Sequence, residues 1–296
     1  MVGLYFCFSG KHNLGPVAVM IPQPAVTPCL SRQLADPAHM SDPFASFRLS
    51  NRTALVTGAR REIGRAIALA LAGAGARIAV HHAGTAEEAA DAQSVVSEIK
   101  SMGGDAAPFA QDFARDDAGH HLAAAVTAWS PVDILVLNAS IEIPEDFPTI
   151  SRDRFDRQIA VNLRSTMELL QDLIPAMATR GWGRVVTIGS VQQERPHPQM
   201  LVYAGTKAAQ LNWALNLARQ YGPKGVTVNN LAPGAILTAR NRDQMITEGA
   251  ALVQRIPVGR LGRPDDLTGA ALLLCSDAGC YINGINLFVD GGRSAG

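Results

Sequence analysis

Tyr203 and Lys207 are residues whose types and spacing suggest chemistry. They lie four residues apart at the head of an apolar-periodic run, Ala208 to Leu217. That run reads as a helix, which puts both side chains on one face. A phenol titrates near about 10 and is a poor proton donor at neutral pH. An ammonium within about 5 Å favours the phenolate and lowers that value. The pair could give a proton to a carbonyl oxygen while hydride reaches its carbon. No other tyrosine in the chain has a lysine four residues on.

The elements that must position this pair alternate along the chain. Short apolar strands are expected at 53–56, 77–80, 106–111, 134–137, 184–188, 226–231 and 285–289. Helices are expected at 63–74, 86–102, 116–129 (capped by aspartates) and about 152–179, then the Tyr203 helix, with one or two more in 240–277. This pattern predicts one α/β domain over 47–296, a doubly wound, mostly parallel seven-stranded sheet with helices on both faces. Ligands of such sheets sit beyond the carboxyl ends of the strands. There the first strand runs into Thr57-Gly58-Ala59-Arg60-Arg61-Glu62-Ile63-Gly64. Glycines let a backbone approach a pyrophosphate, and the following helix offers free N–H groups.

Composition removes several classes. The net charge is zero and there is no Lys/Arg block, so nucleic acid is not an expected partner. No apolar run is long enough to span a membrane. Four cysteines (Cys7, Cys29, Cys275, Cys280) form neither a metal-ligand spacing nor a disulfide framework and fit a reducing, cytoplasmic setting. Cys275 and Cys280 read as buried apolar residues. Residues 1–46 carry six prolines and no hydrophobic period, and read as a disordered extension. The start lacks the basic region of a signal peptide, and Met40 is a candidate alternative start.

Taken together these residues resemble the short-chain dehydrogenase/reductase family over about 47–292. Ser190 stands 13 residues before Tyr203, the family's usual spacing. Asn162, in Val161-Asn162-Leu163, matches the fourth member of the catalytic tetrad. Asn138-Ala139 matches the family's Asn-Asn-Ala-Gly, and Asp112, followed by Phe113, matches its adenine-contacting aspartate. Pro233-Gly234-Ala235-Ile236-Leu237-Thr238 matches the segment that holds the nicotinamide carboxamide, and the ending Val289-Asp290-Gly291-Gly292 is also typical. The resemblance implies a Rossmann-like NAD(P)-dependent oxidoreductase. In it Tyr203 is the general acid or base, Lys207 lowers its pKa and grips the nicotinamide ribose, and Ser190 hydrogen-bonds the substrate oxygen. Asn162 holds a water that links Lys207 to solvent. Gly58, Arg60, Arg61, Ile63, Gly64, His82, Asp112, Phe113, Asn138, Ala139, Pro233, Gly234, Ile236 and Thr238 are the implied cofactor contacts, with Tyr203 and Lys207. Family members commonly form tetramers, so a homotetramer is expected.

Three positions depart from the family pattern. Glu62 stands where the cofactor turn has its middle glycine, Ser140 replaces a glycine, and Leu137 replaces the first asparagine. Glu62 would repel a pyrophosphate unless Arg60 and Arg61 neutralise it or the helix N-terminus holds it; the second is favoured. The pairs His81-His82 and His120-His121 lack acidic or cysteine partners in sequence, and no metal is expected.

The second strand is followed by His82-Ala83-Gly84-Thr85, without the acid that an NAD-preferring site uses on the ribose hydroxyl. Arg61 offers a charge to a 2′-phosphate, so NADP(H) is favoured, with NAD(H) as the alternative. The polar loop Val191 to Pro198 and the donors Arg240, Asn241 and Arg242 favour a polar carbonyl or alcohol such as a sugar, polyol or hydroxy acid. The alternatives are a 3-oxoacyl thioester reductase and a non-catalytic dinucleotide-binding regulator.

Overall fold

The structure is a computed structural model. It describes Asp42 and residues 44–295, without the side chains at 240 and 244–248. The extension expected over 1–46, Met40 included, lies outside these residues except for its end, where Ala45–Phe47 forms a 3-10 turn.

Seven strands form one sheet in the order β3-β2-β1-β4-β5-β6-β7. They are β1 Thr53–Val56, β2 Arg77–His82, β3 Ala106–Ala110, β4 Ile134–Leu137, β5 Gly183–Ile188, β6 Val226–Pro233 and β7 Asn286–Val289. Every neighbouring pair is parallel. The helices are α1 Glu62–Gly73, α2 Ala86–Ser101, α3 Ala118–Trp129, α4 Arg152–Ile159, α5 Ser165–Arg180, α6 Leu201–Tyr221, α7 Arg242–Val253 and α8 Thr268–Cys275.

Strand residues alternate between two cores, as the pleat requires. Ala54, Val56, Ile78, Val80, Ile134 and Val136 pack with α1, α2 and α8 on one face. Leu55, Ala79, Leu135, Leu137, Val185 and Val228 pack with α3, α5 and α6 on the other. Leu137, one of the departures from the family pattern, is thus a core residue.

Two expectations about helices are corrected. The long helix over 152–179 is two α-helices joined by a π-helical turn, Ala160–Arg164, which carries Asn162. The helix expected from Asp116 begins at Ala118. Asp117 precedes it in left-handed backbone (φ 55°) and makes no side-chain cap. β1 lies between β2 and β4, and the chain crosses from β3 back over β1 to β4, so the direction of winding reverses at its carboxyl end. That crevice is where an open α/β sheet takes its ligand.

Candidate active site

The β1 turn is fastened from both sides of the crevice. Thr57 Oγ1 accepts the backbone N–H groups of Asn138 (2.9 Å) and Ala139 (3.0 Å). Asn138 Nδ2 donates to the carbonyls of Thr57 (2.9 Å) and Gly58 (3.2 Å). Asn138 therefore acts on the turn rather than pointing away from it. Gly58 has φ +63°, and a Cβ at Gly64 would run into the Gly58 carbonyl and the Asn138 amide. Ile63 lies half-buried in the first turn of α1.

His81 is the turn's third fastening. Gly58 N–H donates to His81 Nδ1 (3.0 Å), and His81 Nε2 meets the Gln111 carbonyl (2.9 Å). The carbonyl can only accept, so Nε2 carries the proton and the ring is neutral. Phe113 stacks on it, with ring centroids 4.3 Å apart. Burial pushes the His81 pKa down to about 4. Phe113, expected to touch the cofactor, has its ring buried against His81.

Glu62 sits in left-handed backbone, φ +51°. The family's glycine at this place thus has a conformational reason that Glu62 tolerates as strain. Its Oε1 accepts the backbone N–H of Ala239 (2.8 Å), beyond β6. The carboxylate belongs to a bridge across the crevice, a use that sequence reading did not foresee. Arg60 does not meet it; Arg60 pairs with Asp91 (2.5 Å) and Glu88 (3.3 Å). Arg61 is exposed and has no ion pair with a described residue.

At the end of β2, His82 is buried and its Nδ1 has no hydrogen-bond partner among the described residues. Burial lowers its pKa, against the raising effect of Glu88. A buried polar nitrogen in need of a partner beside a glycine turn fits a dinucleotide. Asp112 Oδ1 accepts the Ala114 N–H (2.9 Å) and so shapes the loop after β3.

On the far wall Pro233 ends β6 and Gly234 N–H donates to the Val289 carbonyl (3.1 Å). Ile236 is buried and bridges to Gly262. Thr238 donates from N–H (2.8 Å) and Oγ1 (3.1 Å) to Asn241 Oδ1. Asn241, expected to face substrate, is used inward, its Nδ2 on the Ile236 carbonyl (2.8 Å). A cavity of about 340 Å³ opens between this segment and α1, lined by Glu62, Arg65, Thr238, Arg242 and Arg263 among others.

The four expected catalytic residues are drawn together by α6. Tyr203 and Lys207 are both buried in its first turns. Lys207 Nζ donates to the Ile188 carbonyl (2.7 Å), two residues before Ser190, and lies 5.7 Å from the Tyr203 ring centroid. Ser190 opens the 3-10 turn Val191–Gln193, and its Oγ accepts the Gln192 N–H (3.2 Å). As an acceptor there, its hydroxyl keeps its own proton to donate. Asn162 is fully buried. Its amide takes the Ile141 N–H (2.9 Å) and donates to the Ile141 carbonyl (2.9 Å) and Thr206 Oγ1 (3.1 Å).

The backbone carbonyl of Asn162, the residue expected to hold a water, accepts Gln210 Nε2 (2.6 Å) and Thr166 Oγ1 (2.9 Å). Gln210 was not among the expected site residues. Its signal was a polar side chain at the i+3 position from Lys207, on the same helix face. A second unforeseen network runs behind Ser190. Asn230 accepts from Thr187 Oγ1 (2.6 Å) and donates to Asn286 Oδ1 (2.7 Å) and Gln193 Oε1 (3.3 Å). Asn286 in turn donates to Glu194 (2.8 Å), and Arg195 donates to the Ser294 carbonyl (3.0 Å). The polar loop after Ser190 is thus tied to β6, β7 and the C-terminal residues.

The histidine pairs also read differently in three dimensions. His120 Nδ1 meets Asp172 (2.8 Å), and Asp117, His120 and Glu168 bring ligand atoms within 4.8 Å of one another. Glu168 Oε2 is occupied by the Gly119 N–H (2.7 Å). Cys275 is buried, with its thiol pushed up to about 12 by burial, whereas Cys280 is half-exposed. No helix among the described residues is long and apolar enough to cross a membrane.

The family model described as enoyl-(acyl carrier protein) reductase matches residues 58–294. L-rhamnose 1-dehydrogenase (NAD(P)(+)) of Azotobacter vinelandii is 36% identical over 248 residues, 82% of this chain and 97% of its own. The chain belongs to the short-chain dehydrogenase/reductase family. It is an NAD(P)-dependent oxidoreductase acting on CH–OH and C=O groups. Another member, 2-dehydro-3-deoxy-D-gluconate 5-dehydrogenase of Pseudoalteromonas atlantica, is 38% identical over 83% of this chain and 97% of its own. Among solved structures, an NADP-bound 3-oxoacyl (acyl-carrier-protein) reductase of Agrobacterium tumefaciens C58 superposes with a TM-score of 0.80 at 39% identity. It covers 86% of this chain and 99% of its own.

Proposed function

We propose that this oxidoreductase interconverts a secondary alcohol and a carbonyl on a sugar, polyol or hydroxy acid, with NADP(H) preferred and Tyr203, Lys207, Ser190 and Asn162 as the catalytic group. The observation that carries this is Lys207, 1% exposed, its ammonium anchored on the Ile188 carbonyl beside the Tyr203 ring. A buried ammonium there favours the phenolate of Tyr203, which can take a proton from an alcohol or return it to a carbonyl. Ser190 donates its remaining proton to the substrate oxygen as charge develops there. Asn162 ties the loop at Ile141 to α6 and so holds the wall of the crevice. The nicotinamide, when bound, supplies or accepts the hydride. Gly58, Ile63, Gly64, Asn138 and Ala139 shape its turn, His82 and Asp112 face its adenosine end, and Arg61 meets the 2′-phosphate. Arg60 is already paired with two carboxylates and contributes less.

A polar substrate is supported by the glutamine- and arginine-bearing loop after Ser190 and by relatives named for rhamnose and a deoxygluconate. The second reading, an acyl-thioester reductase, is supported by the name of the superposing Agrobacterium enzyme. We assign the enzyme to the cytoplasm, as a homotetramer.

A panel of sugars, polyols, hydroxy acids and acetoacetyl thioesters with both cofactors tests the reading. Turnover should be highest on a polyhydroxylated compound, fall about 10²-fold or more in Tyr203→Phe, and show an NADPH preference that shrinks about tenfold in Arg61→Ala. Faster turnover of the thioester than of every polyol would select the second reading.

A further inference from the structure

Gln210 lies one helical turn beyond Lys207 on α6 and is 1% exposed. Both ends of its amide are engaged. Oε1 accepts from Lys207 Nζ (3.2 Å), and Nε2 donates to the Asn162 carbonyl (2.6 Å) and to Thr166 Oγ1 (3.2 Å). Thr166 Oγ1 itself donates to the Asn162 carbonyl (2.9 Å).

We propose that Gln210 is a positioning residue of the reaction: it braces the Lys207 ammonium against the π-helical turn. This rests on the roles given above to Tyr203 and Lys207. A lysine has a long flexible stem and three donors on a point charge. The Ile188 carbonyl fixes that charge towards β5, and Gln210 adds a second acceptor from α6 itself. A carbonyl oxygen has two lone pairs, and here Gln210 and Thr166 take them.

Ile188 of β5, Asn162 of the π-turn and Thr166 of α5, which hydrogen-bond this brace from other elements, are uncharged. Tyr203 is the titratable group beside Lys207 on α6 itself. A change at 210 therefore reaches the reaction through the charge and position of Lys207.

The test is the pH profile of kcat/KM for alcohol oxidation in wild type, Gln210→Met and Gln210→Glu, with Tm measured alongside. Gln210→Met keeps the volume and loses both hydrogen bonds; Gln210→Glu keeps the shape and adds a charge that offsets the ammonium. In both, the acidic limb should move up by about half a pH unit or more, further in Gln210→Glu, because the phenolate loses cationic support. At the wild-type optimum kcat should fall about tenfold, equivalent to about 1.4 kcal/mol, with substrate KM little changed. Should Gln210→Met fail to fold, Gln210→Glu alone decides. A limb that stays in place while only Tm drops would make Gln210 a packing residue and overturn the proposal. Wild-type activity that survives Tyr203→Phe would instead overturn the role of Tyr203, a separate failure.

Discussion

Glu62 carries the largest local departure from what its neighbours would lead one to expect. A side chain at φ +51° costs about 1–2 kcal/mol relative to right-handed backbone. Against this stands its hydrogen bond to Ala239 N–H, which is exposed and worth about 1 kcal/mol. Two terms of similar size and opposite sign explain why an acid can persist where glycine is expected. They also fix an order among variants. Glu62→Ala keeps the strain and loses the bond; Glu62→Gly loses both. Urea denaturation should therefore find Glu62→Gly more stable than Glu62→Ala by about 1 kcal/mol, the reverse of their order inside a helix. In both, the Ala239 amide should exchange with solvent faster than in wild type. Equal stabilities would mean that the backbone relaxes out of the left-handed region in the alanine variant. The identity of Glu62 was plain in the sequence, but a residue's type does not announce the sign of its φ.

His81 acts between elements: it joins the β1 turn, β2 and the loop after β3 through one neutral ring. Its folded pKa, about 4, lies below the ordinary value of 6.5. The unfolded chain therefore binds more protons between those values, and stability rises with pH across the interval. The contribution is complete above about 6.5 and is lost as pH falls towards 4, up to about 3 kcal/mol at 1.36 kcal/mol per unit. Thermal melts from pH 7 to 4 should show this loss in wild type and a shallower slope in His81→Asn. Parallel slopes would contradict it. The same ring explains why the cofactor turn was only half legible beforehand. Gly58 and Gly64 stand in one short segment, but the hydrogen bond that holds Gly58 comes from 23 residues away. Gln210 was missed for the same reason, because its partners Asn162 and Thr166 lie 48 and 44 residues off.

At the scale of the whole molecule the layered sheet was legible because each strand is a short apolar run and each connection a helical one. Parallel order follows from that alternation, and so does the crevice at the end of β1. The proposed tetramer places further demands on the surface. Phe155 of α4 and Leu201 and Leu215 of α6 are exposed apolar side chains that a partner could cover. Light scattering at micromolar concentration should return about four times the 31.3 kDa chain mass; a monomeric mass would refute the assembly. The C-terminal ties bear on when, rather than where, the enzyme is made. Glu194 is held by Asn286 of β7, and Arg195 by the Ser294 carbonyl. The loop beside Ser190 thus waits for partners 92 and 99 residues further along the chain, made after Tyr203 and Lys207. A nascent chain can therefore hold Tyr203 and Lys207 and still lack a finished wall beside Ser190 until β7 and Ser294 have been made.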